Sequence, residues 1–125
     1  MLIVEDDRDI RQAMEELLQE QGYDCVFAEN GLEALETLSL RTPSLVLIDL
    51  LMPVMNGVEL IGRLQRDPRW SSLPVVVMTG AGDRIIGVDL KSLKVPILRK
   101  PVDIESLQQM LVRHSRADAE IPEDQ

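Results

Sequence analysis

Leu45-Val46-Leu47-Ile48-Asp49-Leu50-Leu51-Met52-Pro53-Val54-Met55-Asn56-Gly57 is the stretch that decides the fold. Four apolar residues in a row read as a strand buried on both faces of a parallel sheet. They deliver one carboxylate, Asp49, into a loop punctuated by proline and glycine. In open α/β sheets, ligands bind beyond the carboxyl ends of the strands. Two other stretches repeat the pattern: Leu2-Ile3-Val4 leads into Glu5-Asp6-Asp7, and Ile97-Leu98-Arg99 leads into Lys100-Pro101. Acids and a lysine, each at a strand end, make an ion and phosphate site the leading idea.

Outward from this stretch, strand-like and helix-like segments alternate five times. Met1 to Val4 is the first strand. Ile10, Ala13, Met14, Leu17 and Leu18 recur at helical spacing; Asp7 or Asp9 caps that helix and Gly22 ends it. Tyr23 to Ala28 is the second strand. Leu32, Leu35 and Leu38 mark a second helix, stopped before Pro43. Val58, Ile61 and Leu64 mark a third, ending near Asp67-Pro68. Pro74 to Met78 is the fourth strand, with Thr79-Gly80-Ala81-Gly82 as its loop. From Asp83 to Lys94 an apolar face recurs, but Gly87 and the β-branched residues weaken a helix there. Pro96 to Leu98 reads as a short strand, and a proline at its start suits a sheet edge. Ile104, Leu107, Met110 and Leu111 give the last helix, with Asp103 as its cap. This alternation implies an α/β fold: a parallel sheet covered on both faces. Right-handed crossovers then bring Glu5, Asp6, Asp49, Thr79 and Lys100 to one edge. Residues 1–114 form one domain, and residues 115–125 an acidic tail or linker.

The chain has 125 residues and a net charge of −9, from 13 basic and 22 acidic residues. That balance opposes direct nucleic-acid binding, which needs a basic face, and suits a protein that concentrates a divalent cation. No apolar stretch is long enough to span a bilayer. No signal-peptide pattern is present, so a cytoplasmic location is the expectation. The single cysteine, Cys25, excludes an internal disulfide and reads as a buried, inert thiol. His114 lacks a partner at metal-ligand spacing and reads as a surface residue.

Carboxylates gathered at one edge repel one another, and a hard divalent cation relieves this. Mg²⁺ takes a few carboxylate oxygens together with water and phosphate oxygens. Asp6 and Asp49 are candidate direct ligands, Glu5 a candidate through water, and the backbone carbonyl of Leu51 a further oxygen. Asp49 can then act as a nucleophile toward a phosphoryl group, giving an aspartyl phosphate. Lys100 can pair with one phosphoryl oxygen and the Thr79 hydroxyl can donate to another. Each residue alone has an ordinary reading as a helix cap, a Thr-Gly turn or a surface lysine. Their conjunction at the ends of strands one, three, four and five is what carries weight.

Together these pieces resemble the receiver domains of bacterial two-component response regulators. The resemblance rests on Leu2 to Asp7 with Arg11, Asp49 to Gly57, Thr79-Gly80 and Lys100-Pro101, and spans about residues 1–114. It implies a five-stranded doubly wound, flavodoxin-like fold with strand order 2-1-3-4-5. By resemblance, Asp49 is the phosphorylated aspartate, Glu5 and Asp6 the acid pair that holds Mg²⁺, and Asp7 a less essential neighbour. Thr79 is then the switch hydroxyl and Lys100 the phosphate-binding lysine. The implied partners are a sensor histidine kinase or phosphotransfer protein and an output domain or effector, with a phosphorylation-dependent homodimer as an option. Such a domain catalyses its own phosphorylation and slow dephosphorylation without being a turnover enzyme.

Three departures stand out. Ile97 replaces the aromatic residue that usually lies three positions before the lysine and swings inward with the threonine. Residues 83–96 lack the usual pattern before the last strand, so a short or irregular fourth helix is expected. Met1 stands directly in the first strand, as if the numbering began inside a longer chain. A degenerate receiver acting as a docking module is therefore the alternative. An aspartyl phosphatase is disfavoured because Leu51 stands where its second acid belongs. A flavin-binding domain is disfavoured by the acidic first loop and an aromatic content of 2%.

Overall fold

The computed structural model describes residues 1–50, 52, 54–80, 84–85, 88–100 and 102–114. Five strands form one parallel sheet: β1 (Leu2–Val4), β2 (Val26–Ala28), β3 (Val46–Asp49), β4 (Val75–Thr79) and β7 (Ile97–Arg99). Their order is β2-β1-β3-β4-β7, the 2-1-3-4-5 arrangement when only sheet strands are counted. Among the described residues four α-helices surround it: α1 (Arg8–Glu20), α2 (Gly31–Leu40), α3 (Gly57–Arg66) and α4 (Ile104–His114).

The apolar runs of the sequence become a two-sided core through the period-2 geometry of strands. Leu2, Val4, Val46, Ile48 and Val77 pack on one side with Ala34 and Leu38 of α2 and Leu60, Ile61 and Leu64 of α3. Ile3, Leu47, Val76, Met78 and Leu98 pack on the other with Met14 and Leu18 of α1 and Leu107 and Leu111 of α4. Among these, Ile3, Val4 and Val46 to Ile48 are 0% exposed, so slipping the register would leave no core face to exchange with.

Each helix starts just past the carboxyl end of a strand, and a side chain fixes the start. Asp7 accepts from the amides of Asp9 and Ile10 at 2.9 and 3.1 Å. Asn30 and Asn56 each accept at 2.9 Å, from the amides of Glu33 and Glu59. Asp103 accepts from the Ser106 amide at 2.7 Å. These caps satisfy orphan N–H groups of the first turns. At the far end of α1, Gly22 takes φ 89°, the left-handed conformation that closes a helix.

The fourth connection differs from a strand–helix alternation. Arg84–Ile85 (β5) and Val88–Asp89 (β6) pair antiparallel, and a 3₁₀ turn, Leu90–Leu93, comes next. Ile85 and Val88 are β-branched, which disfavours helix and favours an extended backbone. All five strand starts also move, four of them by one residue. The second begins at Val26, three residues later than expected, so Cys25 lies before it and is half-buried rather than buried. The last begins at Ile97, and Pro96 only accepts, from the Val77 amide at 2.9 Å, as suits an edge strand. The tail at 115–125 and the His114 side chain lie outside the described residues.

Gly57 is fixed by a close approach. A Cβ there would fall 2.7 Å from Leu50 Cα and 2.8 Å from the Asp49 carbonyl oxygen, which are backbone atoms without room to move. At Gly62, in the same helix, a Cβ would meet only the flexible tip of Arg66, at 3.3 Å. Gly57→Ala is expected to destabilise the protein by about 1–3 kcal/mol, whereas Gly62→Ala should stabilise it by up to about 1 kcal/mol. Urea unfolding of the two variants checks both signs.

Candidate functional site

Strand register assembles the site. Val4 pairs with Ile48, which puts Glu5 level with Asp49. Asp49 pairs with Met78, and Thr79 pairs with Arg99, so Thr79 and Lys100 come one step further along the edge. The Lys100 amide donates to the Thr79 carbonyl at 2.9 Å, which continues the ladder to the last residue needed.

Three carboxylates meet there. Glu5, Asp6 and Asp49 each offer an oxygen, and these oxygens lie within 4.8 Å of one another. Glu5 is 1% exposed and Asp49 5%, while Asp6 is open to solvent. The ammonium of Lys100 reaches over both buried acids, with Nζ 3.0 Å from Glu5 Oε1 and 3.2 Å from Asp49 Oδ2. Thr79 is buried at the end of β4. The sequence-derived set thus falls in one place, apart from the Leu51 carbonyl, which lies outside the described residues. Asp7, read as either a cap or a neighbour of the acid pair, caps α1, and its amide donates to Glu5 Oε2 at 3.2 Å.

The electrostatics derive from burial. Glu5 has its pKa raised from 4.5 to about 7, first by loss of solvent and then by the adjacent Asp49. Lys100 and the Asp7 amide pull it the other way. For Lys100, burial favours the neutral amine, but the hydrogen bond to Glu5 and the charge of Asp49 outweigh it, and its pKa is raised. With all three acids ionised, three negative charges face one ammonium, and a divalent cation balances the remainder. The donors are hard oxygens, two buried and one open to water, which fits Mg²⁺ with its retained waters.

From the sequence, Lys100 is a phosphate ligand only. The structure adds that it is the counterion of two acids far earlier in the chain. No local signal carries such a pairing. Nor does the sequence mark any strain at Val54, which takes φ 67° in the loop after Asp49 and is exposed. A β-branched residue in the left-handed region is an outlier of the kind that gathers at functional sites.

The response regulator receiver domain family matches residues 1–112. The chain is 37% identical over 93 residues to the transcriptional regulatory protein CpxR homolog of Haemophilus influenzae, covering 72% of this chain and 39% of that one. It is 33% identical over 112 residues to the response regulator Rre1 of Synechocystis, covering 86% and 48%. Among solved structures, the signal receiver domain of a signal transduction histidine kinase from Syntrophus aciditrophicus superposes with TM-score 0.82 at 32% identity, covering 90% and 86%. The response regulator protein TrrA of Thermotoga maritima, in complex with Mg²⁺ and BeF, superposes with TM-score 0.78 at 28% identity, covering 90% and 95%.

The chain belongs to the receiver domains of two-component response regulators, which are modules of phosphorelay signalling. It spans less than half the length of these two curated relatives. Among the described residues, no helix is long and apolar enough to cross a membrane.

The raised pKa of Glu5 has a definite sign. Between about pH 4.5 and 7 the folded protein binds a proton at Glu5 that the unfolded chain has released. Glu5 therefore contributes stability below pH 4.5 that is lost as pH rises through about 7. Thermal unfolding in a chelator across this window should show a decline from this group that Glu5→Gln removes. An unchanged profile in the variant would contradict the assignment.

Proposed function

We propose that this domain accepts a phosphoryl group from a phosphohistidine onto Asp49, with Mg²⁺ held by Asp6, Asp49 and, through water, Glu5. The observation that carries this reading is the convergence of three carboxylates with the Lys100 ammonium at the carboxyl ends of β1, β3 and β7. A bound Mg²⁺ would supply neutralisation of charge on the phosphoryl oxygens. A carboxylate oxygen of Asp49 attacks phosphorus; the new O–P bond forms as the N–P bond breaks, and the imidazole leaves with the electron pair. Lys100, held over Asp49, is positioned to take up a phosphoryl oxygen, and Thr79 to donate its hydroxyl to another. Asp49 is shielded by burial, so the acyl phosphate is protected from bulk water.

The donor is a sensor histidine kinase or phosphotransfer protein, and the signal passes to an attached output domain or a separate effector. The similarity to a transcriptional regulatory protein, of which the match covers 39%, supports an attached output domain, and that to a receiver of a histidine kinase supports a place in a histidine-kinase relay. Turnover as a general phosphatase is disfavoured by Leu51 in place of a second acid. Ile97 favours a second reading, a docking module without a phosphorylation switch. It is half-buried and packs against the α2–α3 side of the core, where an aliphatic side chain has no ring to swing.

A small acyl phosphate such as acetyl phosphate, with Mg²⁺, should add one hydroxylamine-labile phosphoryl group, and Asp49→Asn should abolish it. Lys100→Ala should slow the labelling on the order of 100-fold. Intact-mass measurement separates the outcomes: label persisting in Asp49→Asn places the acceptor elsewhere, and no label on the wild-type protein leaves the docking module.

A further inference from the structure

Arg11 lies one turn into α1, beside Glu5, Asp6 and Asp7. Its guanidinium is not spent on these carboxylates. Nη1 donates to the main-chain carbonyl of Glu5 at 2.9 Å and to that of Asp6 at 3.3 Å. We propose that Arg11 is a positioning residue of the metal site: its guanidinium grips the two consecutive peptide carbonyls that carry the acid pair and so fixes where both carboxylates point. This role rests on Mg²⁺ binding at Asp6 and Asp49 as proposed for the domain's function.

The physical case begins with the loop. Glu5 is tied to the sheet by its amide, which donates to Ala28 at 3.0 Å. Asp7 is tied to the helix as its cap. Asp6 stands between these anchors, and its carboxylate is exposed. Two peptide planes lie between these ends; the Asp7 amide helps hold the second by its 3.2 Å bond to Glu5 Oε2, and rotation of the first swings Asp6 away from Asp49. A donor from α1 on both carbonyls removes that freedom. It also turns the carbonyl oxygens toward a cation, leaving the carboxylates to gather on the Asp49 side. A guanidinium suits this task because the two N–H groups of Nη1 are fixed in one plane and can serve one carbonyl each. An ammonium is a compact point charge without that fork. Groups that orient metal ligands in this way are typically worth about 10–100-fold in metal affinity.

The test uses the whole chain with Arg11→Met, which keeps an unbranched stem and removes the donors, and Arg11→Lys, which keeps the charge. Mg²⁺ affinity is measured by calorimetric titration with MgCl₂, and thermal unfolding is tracked in a chelator. Arg11→Met should raise the Mg²⁺ dissociation constant at least about 10-fold, and Arg11→Lys should fall between it and the wild type. The metal-free unfolding temperature should stay within a few degrees, because each bond lost is worth about 1 kcal/mol. Labelling by acetyl phosphate should regain most of its rate at saturating Mg²⁺, an affinity effect rather than a loss of chemistry. Mg²⁺ affinity in Arg11→Met within twofold of the wild type overturns the inference. So does a metal-free protein that no longer unfolds cooperatively, since the role is then structural; Arg11→Lys with wild-type affinity would likewise remove the need for the fork. A wild-type protein that binds no Mg²⁺ is a different failure, and it sinks the proposed function itself.

Discussion

A single ammonium, that of Lys100, lies between two carboxylates that are almost sealed from water. Glu5 and Asp49 sit at the ends of adjacent parallel strands, where register alone forces them together. Leaving a buried charge without its partner costs about 3–5 kcal/mol. The last strand must therefore hold its place at the sheet edge, and its ladder must run on to Lys100. The same pairing gives the site its chemistry. It keeps a cation above the acid expected to react, and leaves an excess of negative charge for a divalent ion.

The rest of the fold is the mount for this cluster. Continuous apolar strands are clamped from both faces, which makes the sheet a rigid plate. The site is built from the loops at the carboxyl ends of the strands, and these loops are braced one against another. Gly57 brings α3 onto the end of β3, and its amide donates to the Leu50 carbonyl at 3.0 Å. Gly31, the first residue of α2, donates to the Met55 carbonyl at 3.2 Å. A Cβ on Gly31 would fall 2.7 Å from the Met55 side chain. The loop after Asp49 thus runs between two helix starts that have no side chain to hold it off. Val54 bears its strained backbone within that loop.

The connection between β4 and β7 departs most from a regular strand–helix repeat. Two short antiparallel strands and a 3₁₀ turn lie in its described part, where a helix would complete the series. The aliphatic Ile97 lies at the start of the next sheet strand. Both features belong to the side of the domain leading from Thr79 to Lys100. If binding of a phosphoryl group draws these two residues inward, the motion must be relayed by packing different from a threonine–aromatic pair.

Several things were legible in the residues alone. Unbroken runs such as Val46 to Ile48 and Val75 to Met78 read as buried parallel strands, because they are short, rich in β-branched residues and bounded by turn residues. Asp7 and Asp103 declare helix starts, because an N-cap acts within three residues of itself; Asn30 and Asn56, which cap the other two helices, read only as turn and loop residues. The polar residues at strand ends pointed to one edge because a parallel sheet leaves no other arrangement. What the sequence could not settle was anything set by distant partners. The Asp83 to Lys94 segment carried an apolar pattern compatible with helix, and Ile85 and Val88 became extended only by pairing with each other. Tyr23 and Cys25 had strand-forming character, yet ladder pairing began at Val26, opposite Leu2. Lys100 was a lysine at a strand end until folding laid it across Glu5 and Asp49, and Arg11 an ordinary helical arginine until its guanidinium met two carbonyls. Local propensity acts over a few residues and is written in the chain. Charge pairing and burial depend on neighbours that only the closed sheet supplies.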